Sequence, residues 1–270
     1  MKLVAELQAG SIPRADGKPR RPWTARTVNL MLFTLGQILD DAMKQGTVAR
    51  NVAELVDRLP QTKVEIKTFT AAQVTRVLTT AENDPLEHAW HLALYGLRRG
   101  EVCGLTWAAV DFRKRTLTVK SARVSVDGEA TESDPKSESG GRTLPLTDEL
   151  IDVLKRAKRR QTAAKKVAGQ AWKDTDYLVV NAIGEPLHPE TISDKWEALI
   201  RTANVPRIRL HDARHTCGTL LHLQGVPVAV IAAWLGHADA AFTMRTYVHS
   251  QEDALKDAAK ALTKRRVTSR

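Results

Sequence analysis

Apolar residues recur at helical spacing along nearly the whole chain, and residues 115–146 are the one long segment that breaks this pattern. In this segment the sequences TLTV, ARVSV and TLPL alternate apolar and polar residues around an Asp127-Gly128 turn, as the strands of an antiparallel sheet do. With 43% apolar residues, the 270-residue chain can bury a sizeable core. The sequence therefore predicts an α+β fold that is mainly α-helical and contains one small antiparallel sheet.

Residues that cap or end helices indicate where the helices lie. Thr24 can cap a helix that Gly46 ends, and Thr70 with Gln73 forms a capping-box pattern at the start of a later helix. Further helices are predicted at residues 52–59, 147–168, 191–204, 211–224, 227–235 and 254–262.

The segment QTKVEIK, residues 61–67, has no helical stripe and lies between two capped helices. We interpret it as a linker between domains. Residues 1–60 then form a helical N-terminal part, and residues 68–270 form the main domain, which ends in a C-terminal helix.

Charge and cysteine usage narrow the class of protein. The chain has 41 Lys and Arg against 31 Asp and Glu, a net charge of +10 that favours a polyanionic partner such as nucleic acid. Cys103 and Cys217 lie far apart in apolar helical patterns, which excludes a disulfide-stapled secreted fold and predicts two buried thiols. The most apolar stretch, residues 226–235, is too short to span a membrane, and the N-terminus lacks a signal-peptide profile. We therefore expect a cytoplasmic protein without a membrane partner.

Four short segments contain residues that suit chemistry: residues 96–105, 134–146, 210–216 and 234–249. Each segment alone has an ordinary explanation, such as surface charge, a loop lysine, packed histidines or a half-buried tyrosine. Together they supply two arginines, a lysine in a turn, two histidines and a late tyrosine. This combination is what phosphoryl transfer on a DNA backbone requires, because guanidinium groups stabilise charge on the phosphate oxygens and a phenol needs proton acceptors and donors nearby.

Metal catalysis is the competing solution, and it needs a cluster of carboxylates. The sequence has no DExK or HExxH spacing, and the one DxD pair, Asp174 and Asp176, has no further acids close by. The eight histidines show no zinc spacing with the two cysteines. The sequence therefore predicts no metal and no other cofactor.

The four segments resemble, in order, the sequence boxes of the tyrosine recombinases, in particular the integrases of phages and integrative elements. GLRRGE followed by LTWAAVDF resembles the first arginine box, and PKSESGGRTLPL resembles the β-turn lysine box. LHDARHT is similar to the HxxR box, and LGHADAAFTMRTYVH is similar to the glycine-histidine and nucleophile box. The resemblance extends over residues 70–250 and implies a tyrosine-recombinase-like catalytic domain.

The resemblance implies a set of reacting groups. Tyr247 is expected to be the nucleophile that forms a 3′-phosphotyrosyl bond with DNA. Lys136, in the turn between two strands, is expected to protonate the 5′-oxygen leaving group, and His211 is expected to handle the tyrosine proton.

It also implies a set of groups that bind the phosphate. Arg98 and Arg214 are expected to hold the oxygens of the scissile phosphate, and His237 to hydrogen-bond to it. Glu101, one helical turn from Arg98, is expected to fix that arginine, although a plain surface pair is the alternative. Arg99 is left as a DNA-backbone contact or a surface residue.

The implied activity is site-specific recombination of DNA, in which strands are cut and rejoined without hydrolysis, ATP or metal. The implied partners are double-stranded DNA at attachment or core sites, further copies of the chain in a synaptic tetramer, and accessory DNA-bending or directionality factors. Residues 24–60 resemble only the last helices of the core-binding domain that precedes such catalytic domains. We therefore expect residues 1–60 to be a partial core DNA-binding domain in an N-terminally truncated chain.

The sequence leaves three alternatives to a recombinase. A type IB topoisomerase uses similar residues but acts as a monomer, whereas the C-terminal segment QEDALKDAAKALTKRR resembles an arm that docks on a neighbouring subunit. A non-catalytic DNA-binding protein derived from an integrase would show damaged motifs, and the four boxes show no damage. A helix-turn-helix repressor would leave the lysine turn and Tyr247 unexplained.

Overall fold

The computed structural model describes residues 2–61, 66–133 and 141–237, and these residues are mainly helical. The chain divides into two compact units, Met1–Glu65 and Ile66–Arg270. The division falls within the segment predicted as a linker, of which residues 62–65 lie outside the described residues. No helix within the described part of the chain is both long and apolar enough to cross a membrane.

Two α-helices lie in the described residues of the N-terminal unit, α1 (Lys2–Ala9) and α2 (Ala25–Lys44). Thr24 caps α2 as predicted, since its side-chain oxygen accepts a hydrogen bond from the backbone N–H of Thr27. A small core joins the two helices through Val4, Leu7, Val28 and Leu32.

The helix predicted at residues 52–59 is wrong, because the structure has only one 3₁₀ turn there, Val52–Leu55. The backbone of this segment is bonded to other groups instead. The Asn29 side chain bonds to both the N–H and the C=O of Leu59, at 2.9 and 2.8 Å, and the Asn51 side chain accepts from the N–H of Ala53 at 3.0 Å. Asparagine side chains therefore replace the bonds that a continuous helix would make.

The second unit contains seven helices within the residues that the structure describes. They are α3 (Ala71–Thr80), α4 (Glu87–Leu94), α5 (Arg99–Gly104), α6 (Asp148–Ala168), α7 (Pro189–Thr202), α8 (Leu210–Leu223) and α9 (Val228–Leu235). The predicted capping box of Thr70 and Gln73 is confirmed at the start of α3, with both reciprocal hydrogen bonds present. The helix predicted at residues 254–262 lies outside the described residues.

Antiparallel strand pairing between residues 110 and 146 is confirmed, but the strands form two sheets rather than one. Strands β1 (Val110–Asp111), β2 (Thr116–Val119) and β5 (Arg142–Pro145) form one sheet in the order β1-β2-β5. Strands β3 (Ala122–Val126) and β4 (Glu129–Ser133) form a separate hairpin.

The hairpin turn and the packing of β3 explain this split. Asp127 and Gly128 both have positive φ, 51° and 88°, as a type I′ turn requires. Strand β3 lies against α5 at Gly104, where an added Cβ would come within 2.9 Å of the backbone of Ala122 and Arg123. Because β2 pairs with β5 while β3 packs on α5, the strands cannot form one continuous sheet.

The core of the second unit is built around tryptophans. The rings of Trp90 and Trp196 lie 5.8 Å apart, and Trp196 donates its indole N–H to the carbonyl of Ile208 at 3.0 Å. Cys103 and Cys217 are buried free thiols, as predicted, and burial raises their pKa to about 11 and about 12.

His88, buried on α4, generates a prediction about stability. Burial lowers the pKa of His88 to about 4. The hydrogen bond between its Nε2 and the carbonyl of Leu178 raises the pKa, but by less than burial lowers it. Between about pH 6.5 and pH 4 the unfolded chain therefore binds a proton at His88 that the folded chain does not. Stability from this group is present above pH 6.5 and falls by up to about 3 kcal/mol as the pH drops to 4.

The His88→Gln variant keeps an amide donor near Nε2 but does not titrate. We expect its free energy of unfolding, measured by urea denaturation, to decrease less between pH 7.5 and pH 4.5 than that of the unmodified protein. An equal decrease in both proteins would show that His88 is not the source of the acid sensitivity.

Candidate active site

Arg98 lies directly before α5, and Glu101 lies in the first turn of that helix. The backbone N–H of Arg98 donates to Glu101 Oε2 at 2.8 Å, and Arg98 Nη1 donates to Glu101 Oε1 at 2.8 Å. Arg98 Nη2 donates to the carbonyl of Gly236 at 2.6 Å. The Arg98 side chain remains 38% exposed while Glu101 is only 6% exposed, so the buried acid orients an arginine that solvent can still reach.

Arg142, at the start of β5, is a second and buried partner of Glu101. Its Nη1 and Nη2 donate to the two carboxylate oxygens at 3.0 and 2.8 Å, and its Nε donates to the carbonyl of Trp234 at 2.7 Å. Sequence reasoning did not single out this residue, although it lies within the segment GGRTLPL. Glu101 lies in the otherwise apolar sequence EVCGL, which indicated a buried carboxylate. A buried carboxylate needs a cationic partner.

Two arginines keep the Glu101 carboxylate ionised. Burial acts to raise its pKa, but the hydrogen bonds and charge of Arg142, together with those of Arg98, outweigh burial and hold the pKa below its ordinary value. The expected ion pair with Arg98 is therefore a buried cluster rather than a surface pair.

Arg214, on α8, is almost fully buried and bonds to the turn before Arg98. Its Nη1 donates to the carbonyl of Gly96 at 2.7 Å. Gly96 has φ +103°, and a Cβ at this position would lie 2.8 Å from the Cδ2 atom of Leu235. Only glycine therefore fits this turn without strain, and the turn connects the two arginines that the sequence predicted.

His211 and His215 lie on α8 with their rings in edge-to-face contact, 5.1 Å between centroids. Burial and the nearby charge of Arg214 lower the pKa of His211, whereas burial and then His211 lower the pKa of His215 to about 4. His211 is thus neutral near pH 7 and able to accept a proton. His215 is buried beside it.

His237 follows Gly236, whose left-handed conformation ends α9. Its N–H donates to the carbonyl of Ala232 at 3.0 Å. Burial, followed by the positive charges of Arg214 and Arg98, lowers the pKa of His237 to about 4. The structure brings four of the predicted site residues together. Arg98 bonds to the carbonyl of Gly236, next to His237, and Arg214 bonds to the carbonyl of Gly96, two residues before Arg98. His211 lies three residues before Arg214 on the same helix.

Lys136 and Tyr247 lie outside the described residues, and their placement stays a prediction. The other two tyrosines are engaged in packing. Tyr95 donates its hydroxyl to the carbonyl of Pro145 at 2.7 Å and its ring contacts Trp234, while the ring of Tyr177 contacts the Arg123 guanidinium.

Arg99 packs inside the second unit, and the acidic residues form no metal site among the described residues. Arg99 is half-buried and donates to Ser193 Oγ on α7 at 3.0 Å, which favours a packing role over a DNA contact. Within residues 2–61, 66–133 and 141–237, no group of three or more His, Cys, Asp or Glu side chains is arranged to hold a metal ion. Metal independence stays a prediction.

The fold is that of a tyrosine-recombinase catalytic domain, and its arginine-histidine cluster contains four of the residues that the sequence resemblance implied. The sequence profile of the phage integrase family matches residues 67–254. The chain therefore belongs to the phage integrase family.

Similar proteins from bacteria are named as recombinases and integrases. The chain is 26% identical over 245 residues to a tyrosine recombinase XerC-like protein of Caldanaerobacter subterraneus, a match covering 84% of this chain and 63% of that protein. It is 26% identical over 240 residues to the ICEBs1 integrase of Bacillus subtilis, covering 88% of this chain and 65% of the relative. The chain thus spans about two thirds of the length of these relatives.

Solved structures share the fold. The Tn1549 transposon integrase in complex with a circular intermediate DNA matches 97% of this chain and 83% of its own chain, with a TM-score of 0.75 and 19% identity. A lambda integrase dimer bound to a COC′ core site matches 91% of this chain and 63% of its own, with a TM-score of 0.57 and 19% identity. The predicted mainly helical α+β fold is confirmed.

The turn at Gly96 generates a prediction. Gly96→Ala should lower the free energy of unfolding by about 1–3 kcal/mol more than Gly128→Ala, because both positions have positive φ but only Gly96 meets neighbouring atoms. Gly128 has no atom within 4 Å of an added Cβ, so it reports the backbone effect alone. Urea denaturation of both variants measures the difference, and equal losses would contradict the close packing of this turn.

Proposed function

We propose that this protein is a site-specific DNA recombinase, an integrase that cuts and rejoins strands through a 3′-phosphotyrosyl intermediate. The observation that carries the proposal is the convergence of Arg98, Arg214, His211 and His237 on one place, with Glu101 orienting Arg98. Membership of the phage integrase family supports it.

The cluster is suited to a phosphodiester. The guanidinium groups of Arg98 and Arg214 stabilise the negative charge that gathers on the non-bridging oxygens in the transition state. His237 donates a further hydrogen bond to the same oxygens. The two guanidinium groups are held by backbone carbonyls, and Arg98 also by a buried acid, before DNA arrives, so little reorganisation is needed when the charge develops.

The chemistry is a reversible transesterification. The phenolic oxygen of Tyr247 forms a bond to phosphorus while the bond from phosphorus to the 5′-oxygen breaks. His211 takes the phenolic proton, and Lys136 gives a proton to the departing 5′-oxygen. A 5′-hydroxyl from another strand then attacks the phosphotyrosine, which joins the strands without ATP, metal or hydrolysis.

We propose double-stranded DNA at attachment or core sites as the substrate, which the net charge of +10 supports. The Tn1549 and lambda integrase structures are DNA complexes, and one is a dimer on a core site. Assembly into a synaptic tetramer, accessory DNA-bending or directionality factors, and action in the cytoplasm belong to the same proposal. The relatives are integrases and recombinases, which does not favour the topoisomerase or non-catalytic alternatives.

The nucleophile is tested by substitution. Tyr247→Phe should abolish the covalent protein–DNA adduct on a nicked attachment-site duplex yet leave DNA affinity within a few fold, because it removes one oxygen. Tyr95→Phe is the matched control and should retain adduct formation. The assay contains excess EDTA. An adduct that survives Tyr247→Phe, or one that forms only with Mg²⁺, would contradict the proposed mechanism.

The acid is tested with a modified substrate. Lys136→Ala should slow cleavage by about 10²-fold or more, because the 5′-oxygen then leaves without a proton. A 5′-bridging phosphorothioate, whose sulfur leaves unprotonated, should restore most of the rate. Single-turnover cleavage of both substrates measures this, and a variant equally slow on both would assign the acid role to another residue.

A further inference from the structure

We propose that Arg142 is a positioning residue for strand cleavage, which keeps the Arg98 guanidinium available to the scissile phosphate and fixes the turn that carries His237. This inference rests on the proposed function and deepens it by adding a residue that acts through Arg98 and Glu101 rather than on DNA itself.

The two arginines that share Glu101 differ in exposure. Glu101 Oε1 accepts from Nη1 of both arginines, and Oε2 accepts from the Arg98 backbone N–H and from Arg142 Nη2. The Arg142 side chain is only 7% exposed, against 38% for Arg98. Arg98 is therefore the one that DNA can reach, and Arg142 lies behind it.

Arg142 bonds to both carboxylate oxygens of Glu101, so the Arg98 guanidinium keeps donors for the scissile phosphate. A guanidinium group that bonds to both oxygens of a carboxylate is the strongest geometry for this pair. Because Arg142 supplies that fork, the Arg98 guanidinium gives only Nη1 to the carboxylate. Without Arg142, the buried carboxylate would lose two donors and compete with the phosphate for the Arg98 guanidinium.

The same two arginines hold the end of α9. Arg142 Nε donates to the carbonyl of Trp234, and Arg98 Nη2 donates to the carbonyl of Gly236. These carbonyls belong to the last turn of α9, whose partial negative charge favours cations. His237 is the next residue after Gly236. The Arg142 guanidinium therefore connects β5 to Glu101 on α5 and to the end of α9, which precedes His237.

Lysine cannot reproduce this arrangement. Its ammonium group is a single point of charge and cannot reach both oxygens of Glu101 and the carbonyl of Trp234 together. Arg142→Lys should therefore be impaired nearly as much as Arg142→Ala, which separates a role for the guanidinium fork from a role for positive charge.

The unit contains a matched control. Glu87 is buried and paired with Arg156 and Arg160, so it forms a second cluster of one acid and two arginines. Its members lie on α4 and α6, which carry none of the proposed catalytic residues. Arg160→Ala removes one arginine from this cluster and reports the general effect of such a loss.

The experiment compares single-turnover adduct formation on two nicked duplexes, one with a normal scissile phosphate and one with a neutral methylphosphonate of either configuration. Arg142→Ala and Arg142→Lys should lower the rate on the phosphate by about 10²-fold, with DNA affinity changed by less than about threefold. On the methylphosphonate the loss should be less than about fivefold, since less charge has to be stabilised. Arg160→Ala should stay within about threefold of the unmodified protein on both.

Equal losses on the two substrates, or an Arg160→Ala variant as slow as the Arg142 variants, would show a general structural defect and overturn the inference. Full activity of Arg142→Lys would contradict the requirement for a guanidinium group that bonds to both oxygens of Glu101. If Arg142→Ala does not fold, as judged by urea denaturation, Arg142→Lys carries the comparison. If the proposed function itself is wrong, the result is different, because the unmodified protein then forms no adduct on the phosphate duplex.

Discussion

The buried carboxylate of Glu101 is the interaction on which the rest of the site depends. An ionised acid inside a protein is costly unless charged partners and hydrogen bonds surround it, and here Arg98 and Arg142 supply both. Because these arginines come from the start of α5 and the start of β5 and also bond to the end of α9, one charge cluster holds together three elements that are distant in sequence. Loss of either arginine would leave part of this cluster unpaired in the interior.

The second constraint is the close approach of backbones around the site. Gly96 brings its carbonyl to Arg214 and leaves room for Leu235, and Gly104 lets α5 lie directly against β3. The approach at Gly96 joins α8 to the turn before Arg98. Burial, together with the positive charges gathered there, lowers the pKa of His211 and of His237. In the proposed function, a bound phosphodiester would add a further negative charge next to these positive groups.

The packed core holds the site residues in position. The helices and the short sheet form a core around Trp90 and Trp196, and the site residues stand at the ends of elements anchored in that core. Arg98 precedes a helix, Arg142 begins a strand and His237 follows a helix. Residues at element ends can reach a ligand while the adjoining backbone is held by packing, which is the arrangement that preorganised transition-state stabilisation needs.

The sequence was enough to predict the helical periodicity, the Thr70 capping box and the Asp127-Gly128 turn, because each depends on neighbours within a few residues. It also shows the four boxes in order. It indicated Arg98, Glu101, His211, Arg214 and His237 through residue type and resemblance. It did not indicate Arg142, the burial of His215, the division of the strands into two sheets or the short turn at Val52–Leu55. Those features were decided by tertiary structure, because they depend on which distant carboxylate, carbonyl, strand or side-chain amide meets each group when the chain packs.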